Sequence, residues 1–276
     1  MSVLVFEQKE KIMKLRRILS LCMIMVLALT VMTACGSKED DKSGDDKKVL
    51  KVGMEIGYPP FEYYDEDGST PIGVDVELAY AIGEELGMEV ELVNTEWDGI
   101  FAGLAKNDYD VIISAVTITP DRLLDFDFSI PYIENWQCIV TMKDAQYKPA
   151  TVEELVGHKI CFQDETASDT FIEDFFKNSE EKPEVFGYAE VIDCFNELKL
   201  GRVDAVVCDS TVADIYVAQG DYEITWSQEK EEGAVAEQFG VCINKGNEDM
   251  VEDINKALVV LEKEGKIEEI LNKYFK

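Results

Sequence analysis

This sequence predicts an α/β fold made of two similar, doubly wound lobes. Three observations lead there. From residue 49 onward, short apolar runs bounded by turns alternate with segments of helical period, the pattern of open sheets flanked by helices. One stretch occurs twice in outline. Leu104-Ala-Lys-Asn-Asp-Tyr-Asp-Val-Ile-Ile-Ser114 and Leu198-Lys-Leu-Gly-Arg-Val-Asp-Ala-Val-Val-Cys208 both read as helix end, polar turn, aspartate and apolar strand. Finally, the first of these strands runs into Ser114-Ala-Val-Thr-Ile-Thr-Pro-Asp-Arg122. Small polar groups and one arginine thus gather past a strand end, where ligands of open α/β sheets bind.

The elements follow in order. Val49–Met54 is an apolar strand. Residues 75–86 form a helix, with Val76, Ala79, Ile82 and Leu86 on one face and Gly87 as the stop. A strand at 88–93, a short helix at 98–106 and a buried strand at 110–114 come next. Thr119 before Pro120 reads as a helix start, hydroxyl at the cap and proline at the first helical position. A second set begins after Thr141. Thr151-Val-Glu-Glu154 is a capping box opening a helix. A strand at 159–162, helices at 166–177 and 189–200, a strand at 205–208 and a helix at 211–219 follow. The chain closes on a long amphipathic helix striped by Val251, Ile254, Leu258 and Leu261.

The N-terminus reads as a signal for export. Lys14, Arg16 and Arg17 precede an apolar run over 18–32, then Thr33-Ala-Cys35. This predicts a signal peptide over 1–34, with Met13 an alternative start. Ser20 and Thr30 interrupt the run, which falls short of the ~20 apolar residues of a spanning helix. Residues 36–48 are charged and free of apolar side chains, a tether that cannot fold. Val31-Met-Thr-Ala-Cys35 resembles the lipobox of bacterial lipoproteins. The resemblance implies cleavage before Cys35, acylation there with palmitate among the chains, and a place on the outer face of the cell membrane. Ordinary secretion with an incidental cysteine is the alternative.

Composition excludes several functions. Lysine and arginine number 26 against 57 acidic residues, a net charge of −31, which argues against nucleic acid and anionic lipid as partners. Membrane attachment would then come from lipid chains. Cys138, Cys161, Cys194, Cys208 and Cys242 form no CxxC pair, so neither a disulfide framework nor a metal site is indicated. They read as buried free thiols. His158 is the only histidine. It reads as a surface or turn residue, since no nucleophile elbow accompanies it. No cofactor loop is present.

The binding residues come from the strand ends. The arginines are Arg16, Arg17, Arg122 and Arg202. A guanidinium grips a carboxylate bidentately, as lysine cannot. Arg122 beside Thr117 is therefore an anion site. Spacing leaves open that it only pairs with Asp125 or Asp127. The second repeat ends at Asp209-Ser-Thr211, where Asp209 is a helix cap, a cation site or both. Facing anion and cation sites fit a zwitterion.

At this point the chain resembles the amino-acid-binding proteins of ABC importers, in their lipoprotein form. The matching motifs are Gly57-Tyr-Pro-Pro-Phe61, Gly73-Val-Asp-Val-Glu77, Trp97-Asp-Gly99, Thr117-Ile-Thr-Pro-Asp-Arg122, Phe126-Asp-Phe-Ser-Ile-Pro-Tyr132, Ala205-Val-Val-Cys-Asp209 and Phe239-Gly-Val with Lys245-Gly246. The resemblance implies two lobes joined by a two-strand hinge, with the ligand cleft between them. Lobe 1 would hold 49–131 and 241–276, lobe 2 would hold 137–235, and the crossings would fall at 132–136 and 236–240. It also implies roles. Arg122 would bind the ligand α-carboxylate, helped by Thr117 and Thr166. Asp209 would bind the α-ammonium, with the Ala115 carbonyl and Thr117 hydroxyl. Tyr58 and Trp97 would sandwich the ligand side chain, and Glu55 and Phe162 would sense its end. Where the family usually has glycine and a small residue, this chain has Asp164-Glu165, which adds negative charge near the cleft.

The expected function is an extracytoplasmic receptor, monomeric and without cofactor, that hands an amino acid to an ABC permease. Two alternatives stand beside it: a dehydratase acting on a cyclic carboxylic acid through Glu55, Asp164 or Glu165, and a ligand-sensing surface lipoprotein without a transport role. Glu55 and Glu165 disfavour an acidic ligand, because an unpaired carboxylate in a closed cleft is costly. They suit lysine, arginine, cystine or glutamine.

Overall fold

The computed structural model describes residues 48–275. The signal segment, Cys35 and most of the tether lie outside the described residues. Strands β1 (Val49–Met54), β2 (Tyr63–Tyr64), β3 (Pro71–Ile72), β4 (Glu89–Asn94), β5 (Val111–Ile112) and β6 (Phe126–Phe128) alternate with helices α1 (Val74–Leu86), α2 (Trp97–Lys106) and α3 (Arg122–Asp125). After β7 (Ile133–Asn135) come β8 (Gln137–Met142), β9 (Lys159–Gln163), α4 (Ala167–Phe176), β10 (Glu184–Tyr188), α5 (Val191–Lys199), β11 (Ala205–Asp209), α6 (Ser210–Ala218) and β12 (Tyr222–Ser227). The chain ends with β13 (Glu237–Phe239), β14 (Cys242–Asn244), α7 (Glu248–Lys263) and α8 (Lys266–Tyr274).

These strands form two five-stranded sheets, ordered β4-β1-β5-β14-β6 and β10-β9-β11-β8-β12. In the first, β1 lies parallel to β4 and β5, and β14 runs antiparallel between β5 and β6. In the second, β9 lies parallel to β10 and β11, and β8 runs antiparallel between β11 and β12. Each sheet is thus three parallel strands extended by an antiparallel pair, which gives the repeated helix–turn–strand echo its physical meaning. The chain passes from the first sheet to the second through β7 and returns through β13. The two strands pair antiparallel, Glu237 opposite Asn135 and Phe239 opposite Ile133.

Side-chain alternation decides what each strand contributes. Along β9, Ile160 and Phe162 enter one apolar cluster with Ile139, Val207 and Trp226, while Cys161 enters the cluster on the other face. The five described cysteines are free and buried, filling core space as small hydrophobes. On α5 and α6, Phe195 and Tyr216 stack face to face at 3.5 Å, with Tyr222 edge-on to both.

Three sequence expectations change here. The helix expected at Pro120 is one turn long. The Arg122 N–H does reach the Thr119 hydroxyl, but the chain must enter β6 at Phe126. The 151–154 capping box opens only a short 3₁₀ turn, Glu153–Leu155, with Glu154 accepting from the Ala150 N–H instead. The closing helix is two helices, broken at Gly265, which sits at φ 74°, a conformation that favours glycine. His158 agrees with its reading as a surface or turn residue: it lies in the bend before β9, stacks on Tyr147 and stands 3.4 Å from Asp204.

Candidate functional site

The parallel strands of both sheets point their carboxyl ends at one cleft. Glu55 follows β1, Ser114 to Thr117 follow β5, Gln163 ends β9 and Asp209 ends β11. Glu55, Ser114, Ala115, Thr117, Gln163 and Asp209, with Tyr58, Trp97, Arg122, Thr166 and Ala167, line one cavity. Of the nine ligand-binding residues expected from sequence, eight line it. Phe162 does not. It is buried with Ile160, Ile172 and Phe176 on the far side of the second sheet. The neighbouring residue Gln163 faces the cleft instead, since adjacent strand residues point to opposite faces.

One end of the cavity is built to hold an anion. Arg122 donates to the Thr117 carbonyl at 3.0 Å and to the Glu165 carbonyl at 3.3 Å. Its guanidinium lies 5.4 Å from the Trp97 ring centroid and 4.9 Å from that of Phe101, favourable cation–π distances. It pairs with neither Asp125 nor Asp127; the latter pairs with Lys245 at 2.8 Å. Burial pulls the Arg122 pKa down from its ordinary value, yet an arginine stays charged. Two backbone carbonyls hold the group in place and leave donors free for a carboxylate.

Asp209 supplies the opposite charge. It stands at the N-terminus of α6 but makes no side-chain cap bond. Its Oδ2 accepts from the Tyr58 hydroxyl at 2.5 Å. Its Oδ1 accepts from Asn135 Nδ2 at 2.6 Å and Gln137 Nε2 at 3.0 Å. The Ser210 and Thr211 hydroxyls both reach Asn135 Oδ1, and Ser168 reaches Gln137 Oε1. Both amides are thereby oriented with nitrogen toward the carboxylate. Burial raises the Asp209 pKa, while these donors and Arg122 act against the rise. Glu237 shares the same amides, 2.8 Å from Gln137 Nε2, and burial next to Asp209 pushes its pKa to about 7.

The third region pairs Glu55 with Gln163. The Glu55 carboxylate is 6 % exposed, and both its oxygens accept from Gln163 Nε2 at 2.8 Å. The same nitrogen donates to the Ala189 carbonyl. Three acceptors around one end of the amide settle which end is nitrogen. Gln163 Oε1 is therefore turned away from them, buried and without a protein partner. Burial, with Glu190 and Glu96 nearby, raises the Glu55 pKa to about 7 against the lowering effect of Gln163.

Glu165 departs from the electrostatic expectation. Its side chain is exposed, as is that of Asp164, and neither carboxylate lines the cavity. What Glu165 brings is its backbone. At φ 59° it takes the left-handed conformation usual for glycine, and its carbonyl meets Trp97 Nε1 at 3.2 Å as well as Arg122. The Thr166 hydroxyl is committed to Gln163 O and to capping α4. Its backbone N–H remains as the group able to face an anion. Gln163 and Ala167 line the cavity without having been singled out in the sequence, Ser114 lines it as the first residue of the motif that ends at Arg122, and Asn135, Gln137 and Glu237 support Asp209. Gln163 had a signal, since it is the last, polar residue of an apolar strand. Asn135 and Glu237 lie on the crossing strands and Gln137 at the start of β8, and they had none.

Two α/β lobes around a cleft that offers a cation at one end and a buried carboxylate at the other define a class, that of two-lobed receptors for small zwitterions. The chain belongs to the bacterial extracellular solute-binding proteins, family 3, which matches it over residues 50–276. It is similar to the L-cystine-binding protein TcyJ of Escherichia coli (strain K12), 29 % identical over 83 % of this chain and 84 % of that one. Among solved structures it is similar to an ancestral arginine-binding protein bound to arginine, with 36 % identity, a TM-score of 0.76 and coverage of 83 % and 99 %. It is also similar to the ancestral amino acid-binding protein AncCDT-1, a precursor of cyclohexadienyl dehydratase, with 32 % identity, a TM-score of 0.75 and coverage of 83 % and 96 %. The protein is an amino-acid-binding receptor of the ABC-importer type, and not an enzyme.

Proposed function

We propose that the receptor takes a cationic or uncharged polar amino acid and delivers it to an ABC permease, while anchored through acylated Cys35 on the outer face of the membrane. In this reading Arg122 and the Thr117 and Thr166 backbone hold the α-carboxylate. Asp209, with the Ala115 carbonyl, holds the α-ammonium. Tyr58 and Trp97 wall the ligand side chain.

The observation that carries the ligand choice is Gln163 Oε1, a buried acceptor without a protein partner beside the Glu55 carboxylate. Two acceptors at the side-chain end call for a donor. A guanidinium, ammonium or amide supplies one, whereas an ionised glutamate side chain supplies none and adds repulsion. The arginine- and cystine-binding relatives accord with a donor-bearing ligand. Calorimetry against free amino acids tests this. Arginine, lysine, cystine or glutamine should bind at least 100-fold more tightly than glutamate, about 2.7 kcal/mol. Glutamate binding as tightly as the best of them would reject the assignment. For the anchor, labelling with a fatty-acid analogue should mark the wild type and not Cys35→Ala; a labelled variant would refute it.

A further inference from the structure

Beneath the Ser114–Ala115 turn lie two carboxyl groups that binding does not touch. Glu62 and Asp75 are both 0 % exposed. Glu62 follows the turn at 58–61, and Asp75 sits in the first turn of α1. The two segments are laced by backbone, since the Asp75 N–H donates to the Phe61 carbonyl at 2.9 Å. At Gly73 any Cβ would strike that same carbonyl. Ser114 Oγ donates to Glu62 Oε1 at 2.6 Å and accepts from the Glu55 N–H at 3.0 Å. Asp75 Oδ2 accepts from the Ala115 N–H at 2.6 Å and the Tyr132 hydroxyl at 2.9 Å.

This leaves Glu62 Oε2 and Asp75 Oδ1 buried with no donor from any other group. Adjacent residues, Ser114 and Ala115, hold Glu62 and Asp75, so a bond between the two orphaned oxygens would satisfy both. Such a bond requires a proton on one of them, because two carboxylates are acceptors only. No ion pair among the described residues reaches either group, so a proton is the available means of neutralising one charge.

We propose that Glu62 and Asp75 share one proton, with Glu62 the donor, and act together as positioning residues for the binding wall. Through Ser114 the pair fixes the backbone at Glu55. Through Asp75 Oδ2 it fixes Ala115, held at φ 46°, and ties that turn to Tyr132 at the entry to β7. Three segments that build the cleft thus converge on one proton. Full burial, then the charge of Asp75, hold Glu62 well above the usual carboxylate range. The titratable groups facing the pair are Glu55 from the end of β1 and Tyr132 from the crossing strand. Tyr132 is itself held well above its ordinary value by burial and these acids, so it remains a donor.

The sign follows from linkage. A carboxyl whose folded pKa is raised binds more protons folded than unfolded, so stability falls as pH rises between the unfolded and folded values. Glu62→Gln replaces the proton with an amide N–H and keeps an acceptor for Ser114, which removes the titration. Carbon-13 NMR of the side-chain carboxyls, melting temperature and L-arginine affinity from about pH 6 to about pH 10 form the test. In wild type one carboxyl of the pair should remain protonated at about pH 7, and melting temperature and affinity should fall toward about pH 10. Glu62→Gln should bind L-arginine within about twofold of wild type near neutrality and show a flatter profile for both quantities. Glu55→Gln in both backgrounds removes the titration of Glu55 itself. Both carboxyls ionised at neutral pH, or a Glu62→Gln profile parallel to wild type, would overturn the proposal. The inference uses the amino-acid-receptor reading only for its affinity arm. If L-arginine does not bind wild type, the ligand assignment fails, and the carboxyl signals and melting profile still decide the pair.

Discussion

Arg122 is held by two carbonyls and two aromatic faces, with no acid to neutralise it. Arg122→Lys should weaken amino-acid binding at least tenfold, about 1.4 kcal/mol, because a bidentate clamp becomes a point contact. Unchanged affinity by calorimetry would leave Arg122 a structural group. At Glu55 the sign concerns pH. A cationic ligand favours the ionised carboxylate, so its affinity should rise as pH climbs through about 7, with a proton released on binding near neutrality. Glu55→Gln should lose that release and bind glutamate less weakly. Calorimetry in two buffers of different ionisation enthalpy reads it. Arg122 and Asp209 were legible in the sequence because they are charged residues just past apolar strands in two copies of one pattern. Gln163 was signalled only as a polar residue closing an apolar strand, and its role became legible once its partners Glu55 and Ala189 were known. Phe162 was assigned by resemblance alone, and the alternation of its own strand places it in the core.

Elements set the positions of these groups. The site draws on the carboxyl ends of β1, β5, β9 and β11, so register in the two sheets fixes it. The alternation of apolar runs and helical segments was enough to read this architecture. Element lengths were not legible where tertiary demands overrode local signals. The turn at Pro120 is cut short by β6, and the closing helix is broken at Gly265. Gly265→Ala should cost about 1 kcal/mol, since alanine resists φ 74°, and should leave ligand affinity unchanged. Urea unfolding checks the first part and calorimetry the second. Phe195→Ala removes a ring stacked on Tyr216 and buried to 1 % exposure. It should destabilise the fold by about 3–5 kcal/mol.

Across the whole molecule, bonds that bridge the cleft join one sheet's surroundings to the other's. Tyr58 meets Asp209, Glu55 meets Gln163, and Trp97 and Arg122 meet the Glu165 carbonyl. Among the described residues the chain crosses between the sheets only through β7 and β13. This is the construction of a hinge that closes on its ligand. Solution scattering should give a smaller radius of gyration with ligand than without, and Gln163→Ala should reduce that difference. No change on tight binding would contradict closure. The central claim is that one cleft reads both charged ends of an amino acid. Calorimetric titration of L-arginine beside its decarboxylated and its deaminated analogues tests this most directly. Each loss should weaken binding at least 100-fold, about 2.7 kcal/mol, because Arg122 or Asp209 is then left facing no charge. An analogue lacking either group that binds as tightly as L-arginine would contradict the account.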